Sequence, residues 1–171
     1  MEYIDNRRPF KRKSIDSDSG AEFINWHLLE WRKLRNILFT RGRPGKKNDN
    51  PHVEQKNWTH VRKLVGYHRY DTKQQIDLLN DLYRNEWRLY ENFFQPTIKL
   101  VEKKRIGGHL KKKYEIAKTP YQRIMESKEV DEKTKIESKQ LYESLNPTEL
   151  KRQIERKLDV LCKTLQRYQG Q

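Results

Sequence analysis

Cysteine is almost missing from this chain: Cys162 is the only one in 171 residues. A single thiol excludes an internal disulfide and any cysteine-based zinc finger. Cys162 falls on an apolar helix face, which assigns it to packing rather than to nucleophilic chemistry. Long hydrophobic runs are also missing. No stretch approaches the ~18 apolar residues of a membrane span. Residues 1–19 are polar and basic with no apolar segment of the signal-peptide kind, so a reducing cytoplasm is the expected location and no membrane partner is expected. Apolar residues make up only 33% of the chain, so any core is modest. No internal repeat is visible. His27, His52, His60, His68 and His109 show no metal-ligand spacing with cysteines and receive no catalytic role.

Positive charge is abundant. Lys and Arg number 38 against 24 acidic residues, a net charge of +14. A balance this basic implies a polyanionic partner, most simply nucleic acid. A small RNA-binding protein would look equally basic. An acidic membrane surface fits less well, because the cations are not confined to one amphipathic helix. With four Trp, nine Tyr and five Phe in patterned positions the chain is not a disordered polyelectrolyte. Length allows one or two domains.

Residues 1–13, with Asn6-Arg7-Arg8-Pro9 and Lys11-Arg12-Lys13, read as a disordered lead-in. Residues 14–17 suit a short strand. A helix is expected over 22–36, where Phe23, Trp26, Leu29 and Leu34 recur at helical spacing, and a second strand over 37–40. Residues 41–50 hold two Gly and a Pro and form a loop. Asn50 is placed to cap a helix with Pro51 in its first turn, ending at Gly66. Thr72 with Gln75 is a capping box. It opens a helix carrying Ile76, Leu79, Tyr83, Trp87, Tyr90 and Phe94 on one stripe and stopped by Pro96. Residues 97–101 and 109–114 suit a hairpin turning at Gly107-Gly108. Helices follow from Thr119-Pro120 with Gln122, over 131–144, and from the capping box Asn146-Pro147-Thr148-Glu149. The last carries Leu150, Ile154, Leu158, Leu161, Leu165 and Tyr168.

Chemistry concentrates on Asp18 and Glu54, with 35 residues between them. Asp18 opens Asp18-Ser19-Gly20-Ala21-Glu22-Phe23 after the first strand-like run. Glu54 follows the loop Arg41-Gly42-Arg43-Pro44-Gly45-Lys46-Lys47-Asn48-Asp49-Asn50 and opens Glu54-Gln55-Lys56-Asn57-Trp58. Two carboxylates brought together hold hard divalent ions suited to phosphoryl transfer. Taken alone, Asp18-Ser19-Gly20 is also an ordinary turn and Glu54 an ordinary charge at a helix start.

Those two contexts resemble the catalytic core of DDE transposases and retroviral-type integrases, in particular the transposases of bacterial insertion sequences. The likeness continues through Val65-Gly66-Tyr67-His68-Arg69-Tyr70, Asn92-Phe93-Phe94-Gln95-Pro96 and Lys118-Thr119-Pro120-Tyr121. The family's first catalytic Asp, on an earlier core strand, has no counterpart. Only Asp5 and Asp16 precede Asp18. The resemblance therefore implies the C-terminal portion of such an enzyme. The implied fold is α/β and helix-dominated: residues 14–66 are part of an RNase H-like core, 71–118 a helix plus a basic β-hairpin, and 119–171 C-terminal helices. It implies DNA transposition by metal-dependent cleavage and strand transfer, with Mg²⁺ or Mn²⁺ held by Asp18 and Glu54. Activity alone is expected to be lost without the first Asp. Arg41, Arg43, Lys46, Lys47, Lys56, Asn57, Arg62 and Lys63 would grip transposon-end or target DNA. In the hairpin Lys103, Lys104, Arg105, Lys111, Lys112 and Lys113 would lie along phosphates, or merely keep an edge strand soluble. The stripe on the last helix would join subunits as a coiled-coil seam or face its own domain. The alternative class is a non-catalytic DNA-binding or oligomerising fragment.

Overall fold

The structure, a computed structural model, describes residues 7–17, 20, 25–43, 45, 49 and 51–169, with 166–169 given by backbone alone. Helices dominate, beside two small two-stranded sheets. The chain divides into two compact units, Met1–Arg69 and Tyr70–Gln171.

The first unit is built on a strand–helix–strand crossover. Strands β1 (Ser14–Ser17) and β2 (Leu38–Arg41) pair in parallel, from Ser14 opposite Leu38 to Ser17 opposite Arg41. Parallel neighbours need a crossover, here helix α1 (Trp26–Leu34). Asn25 caps α1, its Oδ1 accepting the Leu28 N–H at 2.7 Å. The helix thus starts at Trp26. Of the expected 22–36, residues 22–24 lie outside the described residues. Asn36, at φ 50°, turns the chain out of α1 in the left-handed conformation that Asn tolerates. Trp26 and Leu34, expected on the packed stripe, are exposed. A sheet of two strands is too narrow to cover a helix from end to end. The Trp31 ring instead meets the guanidinium groups of Arg12 at 5.4 Å and Arg35 at 4.7 Å. The described lead-in residues 7–13 form no regular element. Arg12 nonetheless packs on Trp31, and the Lys13 carbonyl accepts the Leu38 N–H at 3.1 Å.

Helix α2 covers residues 51–65. It begins as Pro51–Asn57, widens into a π-helical turn at Trp58–Arg62 and closes with Lys63–Val65. The Thr59 hydroxyl donates to the Gln55 carbonyl at 2.9 Å and competes for the acceptor an α-helical turn would use. Gly66, at φ 73°, ends the helix as expected.

The second unit is organised by helix α3 (73–94). The capping box is as expected: Gln75 N donates to Thr72 Oγ1 at 3.2 Å and Thr72 N to Gln75 Oε1 at 3.3 Å. A π-helical turn at Tyr83–Trp87 interrupts α3. That extra residue changes which side chains share a face. On the regular turns before it, Gln75 and Leu82, seven residues apart, are the deeply buried positions, and Ile76, expected on the stripe, is exposed.

Helix α4 (Pro120–Glu126) begins with the expected capping box, α5 (Glu132–Ser144) follows, and α6 (Pro147–Gln169) is the longest. Asn146 Oδ1 caps α6, accepting Thr148 N at 3.0 Å and Glu149 N at 3.2 Å. Leu150, Ile154 and Leu161 of α6 are buried, and α6 packs along α3. Of the two expectations for this stripe, a subunit seam or its own domain, its buried members Leu150, Ile154 and Leu161 follow the second. Cys162 is exposed rather than packed; Leu161, one position earlier, points inward. Phe93 and Phe94 meet Tyr142 of α5 at centroid distances of 6.2 and 5.6 Å, and Phe93 meets Tyr121 of α4 at 5.3 Å. These rings join three helices, so their helical spacing serves packing rather than base stacking.

Between α3 and α4 stands an antiparallel hairpin, β3 (Leu100–Ile106) and β4 (His109–Tyr114). Its turn is Gly107-Gly108, with Gly107 at φ 60° and open space where a Cβ would stand.

Candidate carboxylate site and nucleic-acid interface

Two parallel strands end side by side at Ser17 and Arg41. The Gly42 N–H donates to the Ser17 carbonyl at 3.1 Å and ties the two exits together. In sheets with this connection, ligand sites gather beyond the carboxyl ends of the strands. Asp18 follows Ser17 directly in sequence. Asp18, Lys46 and Lys47 lie outside the described residues, so the pairing of Asp18 with Glu54 stays an expectation from the sequence. Glu54 stands in the first turn of α2 and is exposed. The positive end of the helix favours a carboxylate there.

The loop between β2 and α2 is closed by an ion pair. Arg43 Nε donates to Asp49 Oδ2 at 2.7 Å, Nη2 to Oδ1 at 3.0 Å, and the Arg43 backbone N–H to Oδ2 at 3.1 Å. These hydrogen bonds, the side-chain ones first, hold the Asp49 carboxyl down to about 2. They raise the Arg43 guanidinium. Arg43, expected on DNA phosphate, is therefore already matched by a carboxylate. The sequence reading missed Asp49 as its partner, although a bidentate fork six residues away in a Gly-containing loop is a recognisable signal.

Asp16 lies on the face of β1 opposite Ile15 and accepts the Thr40 hydroxyl at 2.9 Å. Of the carboxylates described near the strand ends, Asp16 and Asp49 are thus engaged and Glu54 is open to solvent. Its hard oxygen donors suit Mg²⁺ or Mn²⁺. Among the described residues no three His, Cys, Asp or Glu side chains gather to hold a metal ion.

The α2 cations differ in availability. Lys56, Asn57 and Lys63 are exposed. Lys56 Nζ lies 3.2 Å from His60 Nε2, and burial, then the Lys56 charge, lowers the His60 pKa. Arg62 stacks on Tyr67 at 4.5 Å. Trp58, one turn beyond Glu54, is half exposed.

In the hairpin, Lys103, Lys104, Arg105, Lys111, Lys112 and Lys113 are all exposed. Lys103 stands opposite Lys112, and Lys104 opposite Lys111. Lys104 also meets Glu102 at 2.6 Å. The hairpin root is fixed: Thr97 N donates to Lys118 O at 2.9 Å, Arg123 Nη2 donates to Thr97 O at 2.7 Å, and Arg123 Nη1 meets Glu115 at 2.6 Å. No helix among the described residues is long and apolar enough to cross a membrane.

No family model matches the chain. No solved structure matches it. Over 106 residues, 62% of this chain, it is 42% identical to an uncharacterized protein, y4rM, of Sinorhizobium fredii, and the match covers 30% of that protein's length. The chain thus spans less than a third of this relative.

Proposed function

We propose that this chain is a C-terminal portion of a DDE-type transposase or integrase that acts on DNA, with Asp18 and Glu54 as carboxylates of its metal site. The supporting observation is the strand–helix–strand unit. It sets Glu54 in the first turn of the helix that follows the basic loop, and it ends β1 one residue before Asp18. Asp16 does not replace the first family Asp, because it sits on β1 itself and is bonded to Thr40. A bound divalent ion would stabilise charge on the phosphoryl oxygens. Arg41, exposed at the end of β2, would bind a backbone phosphate, and Glu54 would hold the ion. Without a third carboxylate the isolated chain binds the ion weakly and does not cleave.

The test is Mn²⁺ titration of the isotope-labelled chain by NMR, with nicking of supercoiled plasmid in parallel. Paramagnetic broadening is expected at residues around 16–20, 41–43 and 51–57 together, and Glu54→Gln should abolish it. Nicking should stay at background. Broadening confined to one carboxylate, or robust Glu54-dependent nicking, would overturn the reading.

A second reading, a non-catalytic DNA-binding piece, is favoured by the exposed cationic hairpin. It requires duplex binding that survives Asp18→Asn and Glu54→Gln and falls steeply with salt. Leu150, Ile154 and Leu161 of the α6 stripe are buried within the unit, which favours its facing its own domain over a subunit seam.

A further inference from the structure

We infer that the β3–β4 hairpin enters the major groove of B-form DNA tip first, each of its faces turned toward one phosphate wall. The inference rests on the DNA reading above and adds a mode of binding to it. It starts from the charge pattern. Successive residues of a strand point to opposite faces, so Lys103 and Lys112 share one face while Lys104 and Lys111 share the other. Like charges directly across a ladder destabilise it. Glu102, beside Lys104 and opposite Lys113, answers part of the charge on the second face; the cations that remain on both faces call for anions on both sides. A ribbon lying flat on one phosphate row would leave half of these lysines in water.

Dimensions decide the groove. A sheet with side chains on both faces is about 10 Å thick. The major groove is about 12 Å wide and about 8.5 Å deep, and the minor groove only about 6 Å wide. At about 3.4 Å per residue back from the turn, Ile106 and His109 stand about 3 Å from the tip, and Arg105 and Leu110 about 7 Å. The next pairs, Lys104/Lys111 and Lys103/Lys112, then fall about 10 to 14 Å from the tip, at the rim where the phosphates are. The apolar Ile106, exposed and nearest the tip, reaches the floor, and Leu110, also exposed, lies along the wall above it, where thymine methyls project into the groove. Gly107-Gly108 carries no side chain to block entry. The root, pinned through Thr97, Glu115, Lys118 and Arg123, holds the arm rigid while its body stays open.

The test is fluorescence anisotropy of the full chain with a labelled B-form duplex over a range of salt. The variants are K103A/K112A and K104A/K111A, one pair per face, with circular dichroism confirming the fold. Each double variant removes two phosphate contacts, so each should lower the slope of log K on log salt by about 2, and affinity on the order of 10- to 30-fold near physiological salt. I106A/L110A should weaken binding a few-fold with the slope unchanged. Replacing thymine by uracil in the duplex should reproduce that loss for the parent chain and not for I106A/L110A. Filling the minor groove with distamycin should leave binding intact. An RNA duplex, whose deep, narrow major groove does not admit the arm, should bind at least tenfold more weakly. Loss confined to one lysine pair would mean a ribbon lying flat and would overturn the proposal, as would equal binding to duplex RNA or displacement by distamycin. Silent hairpin variants together with weakened binding by Arg41→Ala would overturn this mode while leaving the DNA reading standing.

Discussion

Lys157 clasps α6 to α3, and its loss is the sharpest test of how the second unit holds together. Its ammonium bonds both to Asp81 and, at 2.6 Å, to Glu86. The two acids differ in setting: the Asp81 side chain is 50% exposed and that of Glu86 14%. A hydrogen bond to a charged group contributes about 1.5–3 kcal/mol when shielded, whereas a solvent-exposed ion pair contributes about 0.2–1 kcal/mol. Glu86 therefore carries most of the effect. Lys157→Met keeps the aliphatic stem and strands the Glu86 charge, which should cost about 2 kcal/mol. In a unit of this size that lowers Tm by roughly 8–16 °C.

The pH dependence follows from both partners. The hydrogen bond from Lys157 lowers the Asp81 carboxyl despite some burial. That contribution is present above an unfolded pKa of about 3.9 and is lost as pH falls through the lower folded value. Burial alone would lower Lys157, but its bonds to Asp81 and Glu86 outweigh this and raise it. Its contribution is present below an unfolded pKa of about 10.4 and is lost as pH rises through the higher folded value. The K157M deficit should thus be flat between about pH 5 and 9 and shrink at both extremes. Urea unfolding followed by circular dichroism, with K157M, E86Q and the double variant, measures it. A K157M deficit under about 0.5 kcal/mol, or additivity of the two changes, would refute the clasp.

Leu82 is 1% exposed, and Leu82→Ala should cost about 2–5 kcal/mol in the same urea assay. Thr72→Ala removes the cap of α3 and should cost about 1 kcal/mol, with earlier loss of amide-exchange protection in the first turn. In Arg43→Ala the Asp49 carboxyl, held at about 2 by Arg43, should titrate near the ordinary value of about 3.9 by NMR. An unmoved Asp49 would mean that the loop is not closed by this pair.

Local signals carried far in this sequence because they are short-range. Thr72 with Gln75, Thr119 with Gln122, Pro147 after Asn146 and Gly107-Gly108 each act within four residues, and the structure has each capping or turning where expected. What escaped depends on polar core positions or on partners far along the chain. The buried pair Gln75 and Leu82, seven residues apart on the regular turns before the π-helical segment, escaped because a polar glutamine is not scored as core by an apolar periodicity. The α6 stripe was legible, but not its partner, because coiled-coil seams and intramolecular helix pairs share one pattern. At the candidate site, the place of Glu54 in the first turn of the helix after the loop was legible from local context. The Arg43–Asp49 pair was legible only as an acid and a base six residues apart in one Gly-containing loop, beside other cations that could equally have met Asp49.

That distinction bears on how the cations divide. Arg43 is matched by Asp49, Arg62 rests on Tyr67, and Lys118 meets Glu126 at 2.7 Å. Each of these is answered within its own unit. The hairpin is answered only in part: Glu102, its one acid, stands opposite Lys113 and meets Lys104, while Lys103 faces Lys112 and Lys104 faces Lys111. One carboxylate against this many cations compensates only a fraction of them, and the remainder calls for a partner. With a net charge of +14, the excess that stays unanswered on the hairpin is where a polyanion gains most by binding, and this holds whatever becomes of Asp18 and Glu54 as metal ligands.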